Sequence, residues 1–300
     1  GLNVDSFESK FSDLCNVTEA IAVGNGSDGL KLIMKALEIG PGDEVICPGN
    51  SFIASAWSII DIGATPVFCD VEDDLLISVN TISKCITSST KAVMAVHLTG
   101  KLCEMESLVK YCNGNNLYLI EDAAQSIGAQ NSKQQKAGSF GIASAFSLHP
   151  LKNLSLYGDG GIITTNSPDL ARKIRILRNH GLINRDECIT WGVNSRLDEL
   201  QAAYGLIKLK YLDKWTNKYI SIAELYSKRI SQKVTKPKTS EGCRDVFHNY
   251  VVTVNPKFRN EIISIAYEKG LETKVHYPIP LHLQECAKDL KYTTGDLPNV

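Results

Sequence analysis

Reactive side chains follow two of the strand-like runs in this sequence. Residues 144–161 read SAFSLHPLKNLSLYGDGG, in which Ser147 closes a small apolar run and Lys152 follows it. Asp122 closes the preceding run, LYLIED. In parallel sheets, ligands bind beyond the carboxyl ends of the strands. An amine, a hydroxyl and a carboxylate at such ends therefore predict covalent chemistry on a bound small molecule.

A third group of donors comes from the turn GNGSDG at residues 24–29, which leads from a strand-like run into a helix. Free N–H groups at a helix start can bind a phosphate, although many such turns are only tight connections. Pyridoxal phosphate requires phosphate donors, an acid for its ring nitrogen and a lysine for its aldehyde. The turn, Asp122 and Lys152 together predict a site for this cofactor.

The elements that would position these groups alternate along the first two-thirds of the chain. Strand-like runs are separated by helical patterns, and several are almost continuously apolar, which is typical of strands covered on both faces. We predict an α/β fold with a mostly parallel central sheet flanked by helices. The runs are AIAV (20–23), EVICP (44–48), TPVFCDV (65–71), KAVMAVHL (91–98), LYLIED (117–122), IASAFSL (142–148) and GGIITT (160–165).

Helical patterns predict the connections and the domain organisation. SDGLKLIMKAL has one apolar stripe and begins near Ser27, and SPDLARKIRILRNHG starts with a serine cap and a proline. From residue 195 a long helical pattern leads to a strand-like NYVVTV (249–254) and a helical RNEIISIAYEKG. We predict a large cofactor-binding domain at residues 1–210 and a smaller α+β domain at residues 211–300.

Composition excludes several classes of partner. The chain has 300 residues with 43% apolar and 22% charged side chains, and its formal net charge is −1. Such a balance is typical of a globular protein and favours neither a nucleic-acid nor a membrane partner. Neither a long apolar run nor a secretion signal is visible, so we expect a cytoplasmic location. The nine cysteines and six histidines lack ligand spacing, and we expect no metal.

Six segments closely resemble the DegT/DnrJ/EryC1/StrS family of sugar aminotransferases, in order and over essentially the whole chain. The resemblance implies fold type I of the pyridoxal-phosphate enzymes and a homodimer with shared active sites. It implies pyridoxal 5'-phosphate (PLP) as cofactor and pyridoxamine phosphate as its intermediate form. The segments are GNGSDGL, PGDEVICPGNSFIASAWSIIDIGATPVFCDV, EDAAQSIGA, FSLHPLKNLSLYGDGG, NSRLDELQAA and VHYPIPLH.

The resemblance also implies roles for residues around the cofactor ring. Lys152 would form the Schiff base with the cofactor aldehyde, and Asp122 would pair with the ring nitrogen. Gln125 would bond the phenolic oxygen, and Phe52 would stack on the ring face. These four positions match the family pattern residue by residue.

Further roles concern the phosphate and the substrate. Asn194 would reach the phosphate of the partner subunit's cofactor, and His276 would approach the substrate. We expect the glycines of YGDGG to allow a tight turn without contacting the ligand, and His97 to be a structural residue. The residues implied to hold the phosphate of the chain's own cofactor are Gly26, Ser27, Asp28 and Ser147.

The function expected from this set is transfer of an amino group from an amino acid, with glutamate as the expected donor, to a nucleotide-linked keto sugar. The product would be an amino sugar for polysaccharides or glycosylated metabolites. One alternative is a sugar dehydratase of the same fold, in which histidine replaces the lysine; Lys152 argues against it. Another is a catalytically silent or regulatory relative, against which the complete residue set argues.

The resemblance bears on the ends of the chain as well. Family members begin with additional residues and continue through another helix and strand beyond the position of Val300. We therefore expect the small domain to be incomplete.

Overall fold

A single seven-stranded sheet forms the centre of the computed structural model, which describes all 300 residues. The strand order is β1-β7-β6-β5-β4-β2-β3; strands β2 to β6 run parallel, and β7 is antiparallel to both β1 and β6. Each strand coincides with a predicted run, so the mostly parallel α/β sheet is confirmed. The strands are β1 (Glu19–Val23), β2 (Glu44–Pro48), β3 (Thr65–Cys69), β4 (Thr90–Val96), β5 (Tyr118–Asp122), β6 (Ala143–Ser147) and β7 (Gly161–Thr165).

Nine α-helices connect and flank the strands. The predicted serine cap is present, since the side chain of Ser167 accepts the Leu170 N–H at the start of the sixth helix. The second helix begins at Gly26, one residue before the predicted start, and the side chain of Asn25 caps it by accepting the Asp28 N–H. None of these helices is both long enough and apolar enough to cross a bilayer. The helices are α1 (Leu2–Cys15), α2 (Gly26–Ala36), α3 (Ile53–Asp61), α4 (Val79–Ser83), α5 (Met105–Gly114), α6 (Pro168–Leu177), α7 (Glu199–Leu209), α8 (Leu212–Arg229) and α9 (Arg259–Glu268).

The C-terminal part differs from the sequence prediction in two places. The long helical pattern divides into α7 and α8, which are separated by Lys210 and Tyr211. The strand predicted over 249–254 is wrong, because only Thr253 pairs, in an isolated antiparallel bridge with Thr235. At the other end of the run, the Asn249 N–H points to the Thr99 carbonyl at 3.5 Å instead of to a neighbouring strand.

The last twenty residues return to the large sheet. Leu281 and Ala287 are buried in the core cluster that includes residues of β2 and α2. The Tyr292 hydroxyl accepts the backbone N–H of Phe68 in β3 at 3.0 Å. Residues 281–300 thus pack on the sheet domain, although the sequence division places them in the small domain.

A buried carboxylate fixes the end of β5, one residue before Asp122. Glu121 is fully buried and accepts the backbone N–H groups of Gly138, Phe140 and Gly141 at 2.8–2.9 Å. Its fourth donor is the ring Nε2 of His97 at 3.0 Å. His97 is thus a buried structural residue bonded to Glu121, which agrees with its expected role.

We expect Glu121→Ala to lower the free energy of unfolding by about 3 kcal/mol, since it leaves four buried donors without an acceptor. Urea denaturation measures this loss. The matched control is Glu106→Ala, because the Glu106 carboxylate bonds Lys133 on the surface, where such pairs contribute little. Equal losses in the two variants would contradict the role of Glu121.

Candidate active site

Lys152 lies in the loop that follows β6, where its backbone N–H closes a turn by donating to the His149 carbonyl at 2.8 Å. The side chain is half-buried, and its Nζ makes neither a hydrogen bond nor an ion pair. Burial lowers the pKa of Lys152, while the charge of Asp122 acts in the opposite direction. More of the amine is therefore unprotonated near neutral pH, which is the form that acts as a nucleophile.

Asp122 ends β5 at the same edge of the sheet. Its side chain is buried, with Oδ2 accepting the Ser55 hydroxyl at 2.7 Å and Oδ1 accepting the Ala124 N–H at 3.2 Å. Ser55 is held in turn by Ser51, 2.7 Å away between hydroxyl oxygens. Asp122 pairs in register with Ala145 of the neighbouring β6, so the carboxylate and Lys152 share one crevice.

The turn between β1 and α2 carries free donors beside the end of β6. The backbone N–H groups of Gly26 and Ser27 donate to no group of the protein. A Cβ on Gly26 would lie 3.0 Å from the Cβ of Ser147, so the turn and β6 are in contact. Two N–H groups and two serine hydroxyls therefore surround a space at the positive end of a helix dipole, which suits an anion.

Gly161 makes this close approach sterically feasible. It lies in β7 opposite both Val23 of β1 and Ser147 of β6. A Cβ at this position would lie 2.5 Å from the Asn25 carbonyl oxygen and 2.8 Å from the Gly26 nitrogen. Any side chain here would displace the turn that carries the free donors.

Asp28 has no free donor for an anion in this structure. Its N–H is donated to the Asn25 side chain at 2.8 Å, and its carboxylate accepts the Ser195 hydroxyl at 2.7 Å. Lys31 lies 3.5 Å from the same carboxylate. In this structure Asp28 therefore contacts protein groups, whereas the resemblance implies a contact with the phosphate. Its carboxylate holds Ser195, the residue next to Asn194.

Gln125, Phe52 and Tyr277 form one side of the crevice. Gln125 Oε1 accepts the Thr99 N–H at 2.7 Å, and its Nε2 donates to the Tyr277 hydroxyl at 3.3 Å. The Phe52 ring lies 6.1 Å from the Tyr277 ring between centroids and is 55% exposed. Phe52 therefore lies at the opening, where an aromatic ligand can stack on it.

Two histidines from the C-terminal part face the lysine. His276 Nε2 lies 3.2 Å from the Asn249 side-chain amide, and burial together with the charge of Lys152 lowers the pKa of His276. His248 bonds the side chain of Asn153, next to Lys152, at 3.1 Å. Burial and the charges of Lys152 and His276 lower the pKa of His248 to about 3. Both rings are therefore neutral at pH 7.

Asn194 is the predicted site residue that the structure does not join to the others. Its side chain is exposed and forms no hydrogen bond within the chain, while its backbone forms an isolated bridge with Asn179. The adjacent Ser195 is buried and accepts the Gly24 N–H at 2.9 Å. Asn194 is thus held near the donor turn in space through its neighbour Ser195, while its own side-chain amide makes no contact within this chain.

Sequence reasoning missed Ser55, Tyr277 and His248, although all three contact predicted site residues or their immediate neighbours. Ser55 and Tyr277 lie inside segments quoted for the family resemblance, yet nothing in their spacing distinguished them from their neighbours. His248 lies outside those segments. Each of the three acts through a partner at least 67 residues away in the chain.

Known proteins match the chain along its whole length. The model of the DegT/DnrJ/EryC1/StrS aminotransferase family matches residues 1–300. A dTDP-3-amino-3,6-dideoxy-alpha-D-galactopyranose transaminase of Aneurinibacillus thermoaerophilus is 45% identical over 95% of this chain and 78% of that protein. A protein of Geobacillus stearothermophilus named pleiotropic regulatory protein is 38% identical over 98% of this chain and 80% of that protein.

Solved structures agree with the sequence matches. The crystal structure of S. venezuelae DesV in complex with a ketimine intermediate superposes with a TM-score of 0.96 at 36% identity, covering 100% of this chain and 81% of that one. Structures similar to this chain include aminotransferases with PLP or pyridoxamine phosphate bound, and the family is PLP-dependent. The fold is therefore that of the PLP-dependent aminotransferases.

We expect Gly161→Ala to weaken the affinity for PLP by about tenfold or more, because a displaced turn loses hydrogen bonds to a charged phosphate. Titration of the cofactor-free protein with PLP, followed by absorbance, measures the change. Gly158→Ala is the control, since its Cβ would meet only the flexible end of Gln201. A similar small effect in both variants would show that Gly161 does not set the position of the turn.

Proposed function

This chain belongs to the DegT/DnrJ/EryC1/StrS aminotransferase family, and on that basis we propose that it transfers an amino group from an amino acid to a nucleotide-linked keto sugar with PLP as its cofactor. The observation that carries the proposal is the crevice shared by Lys152 and Asp122 beside the free donors of the α2 turn. Relatives named as sugar transaminases support it. The product would be an amino sugar.

The side chains present fit a PLP molecule by their chemistry. Gly26 and Ser27 offer unused N–H groups, and Ser147 adds a hydroxyl, as a phosphate requires. Lys152 has an unpaired amine and Asp122 a buried carboxylate. When bound, the cofactor supplies an aldehyde that takes up amino groups and a ring that withdraws electrons from the carbon being deprotonated.

Asp122 would keep the proton on the ring nitrogen of the cofactor. The Ser55 hydroxyl and the Ala124 N–H both donate to the carboxylate, which fixes its orientation. Gln125 would bond the phenolic oxygen, and Phe52 would cover the ring face. Each of these groups would orient the ring without reacting.

Lys152 would provide the nucleophile and, once its amine is free, the base that moves a proton at its Nζ. A base needs an unprotonated amine at working pH, and burial lowers the pKa of Lys152 in that direction. The neutral rings of His248 and His276 add no second positive charge that would compete with it. His276 would contact the sugar.

Asp28 would take part by positioning and not by binding the phosphate. Its carboxylate bonds Ser195, which also bonds Gly24, so one serine joins the donor turn to the segment that carries Asn194. The exposed Asn194 amide would then reach the phosphate of a second copy's cofactor. The exposed Trp191 and Ile189 nearby are apolar surface that a homodimer would cover.

The chain would divide near residue 210 into the sheet domain and a smaller C-terminal domain. All seven strands of the sheet lie before residue 166, and the residues after 210 contain helices α8 and α9 but no strand of the sheet. The contacts of residues 281–300 with β3 and the core would fasten the second domain to the first.

The lysine is the first test of this function. Wild-type protein should convert glutamate and show a change in the cofactor's visible absorbance, and Lys152→Ala should abolish both, because the nucleophile and the base are lost together. Lys208→Ala is the control, since Lys208 is a partly buried lysine that bonds Ser155 outside the crevice. Products from nucleotide-linked 3-keto and 4-keto sugars, weighed by mass spectrometry, identify the acceptor.

Undiminished transamination by Lys152→Ala would refute the assignment. A wild-type protein that binds PLP but converts no amino acid would favour the regulatory alternative. Size-exclusion chromatography checks that the variant keeps the quaternary structure of the wild type.

We expect Asp122→Asn to lower the rate by about a thousandfold, because a neutral amide cannot hold the proton on the ring nitrogen. Ser55→Ala is the graded comparison: it removes one hydrogen bond to the same carboxylate and should cost about tenfold. Single-turnover kinetics with glutamate measures both. A loss below tenfold in Asp122→Asn would mean that the ring nitrogen finds its acid elsewhere.

A further inference from the structure

The side chain of Asn153 determines how the ring of His248 is protonated. Asn153 Nδ2 lies 2.9 Å from the backbone carbonyl of Val246, which can only accept a hydrogen bond. The amide nitrogen must therefore face Val246, and Oδ1 faces His248 Nδ1 at 3.1 Å. Because an amide oxygen can only accept, His248 Nδ1 carries a hydrogen and donates it.

The other nitrogen of the ring is consequently an acceptor. Burial, Lys152 and His276 together lower the pKa of His248 to about 3, so the ring is neutral at pH 7. A neutral imidazole with its hydrogen on Nδ1 has a lone pair on Nε2. A rotation of the ring about χ2 that exchanged the two nitrogens would break the bond to Asn153.

This acceptor is accessible to a ligand, and its ring is bonded to the residue that follows Lys152. His248 Nε2 has no hydrogen-bond partner in the protein. The atom is also not fully buried, because the side-chain N and O atoms that are buried without a partner are Ser144 Oγ and His282 Nδ1. The bond to Asn153 and the influence of Lys152 and His276 place His248 next to the residues that the proposed reaction uses.

We propose that His248 Nε2 accepts a hydrogen bond from a hydroxyl group of the sugar substrate and is a specificity-determining residue. The inference rests on the proposed function. A lone pair attracts a hydroxyl hydrogen but repels a carboxylate, which offers lone pairs of its own. His248 would therefore favour the sugar over the carboxylates of the amino donor, and its contribution would lie mainly in the sugar half-reaction.

The protonated nitrogen can be tested without any reaction. Long-range ¹⁵N–¹H NMR of the cofactor-free protein distinguishes a protonated ring nitrogen from one with a lone pair. We expect one histidine with hydrogen on Nδ1 whose signals disappear in His248→Asn and whose ring stays neutral at pH 6. Hydrogen on Nε2 of His248 would overturn the proposal.

Two variants then separate the contact with substrate from the contact with Asn153. Asparagine at position 248 can still donate to Asn153 Oδ1 but has no acceptor at the place of Nε2, whereas glutamine can place Oε1 there. We expect His248→Asn to lower kcat/KM of the sugar half-reaction about tenfold more than that of the glutamate half-reaction. His248→Gln should recover part of this difference.

A substrate that lacks the hydroxyl completes the test. Wild-type protein should prefer the hydroxyl-bearing keto sugar over its deoxy analogue, and His248→Asn should reduce that preference about tenfold. Equal losses in both half-reactions, or an unchanged preference, would show a structural role and overturn the proposal. If wild-type protein fails to convert glutamate, the proposed function fails and this contact with it, while the NMR result still reports the ring nitrogen independently.

Discussion

The site depends on the pairing of β5 with β6, which brings a buried carboxylate and a half-buried amine to one edge of the sheet. Each group alone would be costly to bury, because both lose hydration. The carboxylate is stabilised by the Ser55 hydroxyl and the Ala124 N–H. Directly behind it, Glu121 gathers three backbone N–H groups and His97, so the end of β5 has little freedom to move. Rigid support of this kind is what a positioned acid requires.

The antiparallel strand β7 has a comparable influence on the phosphate donors. It lies between β1 and β6, and it therefore sets the distance between the α2 turn and the strand that leads to Lys152. Gly161 keeps that spacing small, since any Cβ there would meet Asn25 and Gly26. One glycine at the start of β7 thus determines whether Ser147 and the N–H groups of the turn can bind the same anion.

The sequence alone predicted the strands, the serine cap of α6, and the position of Asp122 and Lys152 after neighbouring strands, because apolar runs and capping patterns are local signals. Contacts between distant segments left no such signal: Ser55 meets Asp122 across 67 residues, and Gln125 meets Tyr277 across 152. The backbone contact of Asp28 does have a local signal, since Asn25 three residues earlier is a favourable N-cap and accepts its N–H. The pattern of 249–254 suits a strand, yet a strand also needs a neighbour, which only Thr235 provides.

The two histidines His97 and His248 show why residue type alone does not decide a role at this site. In His97, Nδ1 accepts the Cys103 N–H at 3.3 Å, so the ring hydrogen is on Nε2 and is donated to Glu121. In His248, Nδ1 donates to Asn153, so Nε2 is left as an acceptor. The partner of one nitrogen thus determines what the other nitrogen offers. The first ring completes a buried network and stabilises the fold, whereas the second keeps one nitrogen free of protein partners, which is what a contact with a substrate hydroxyl requires.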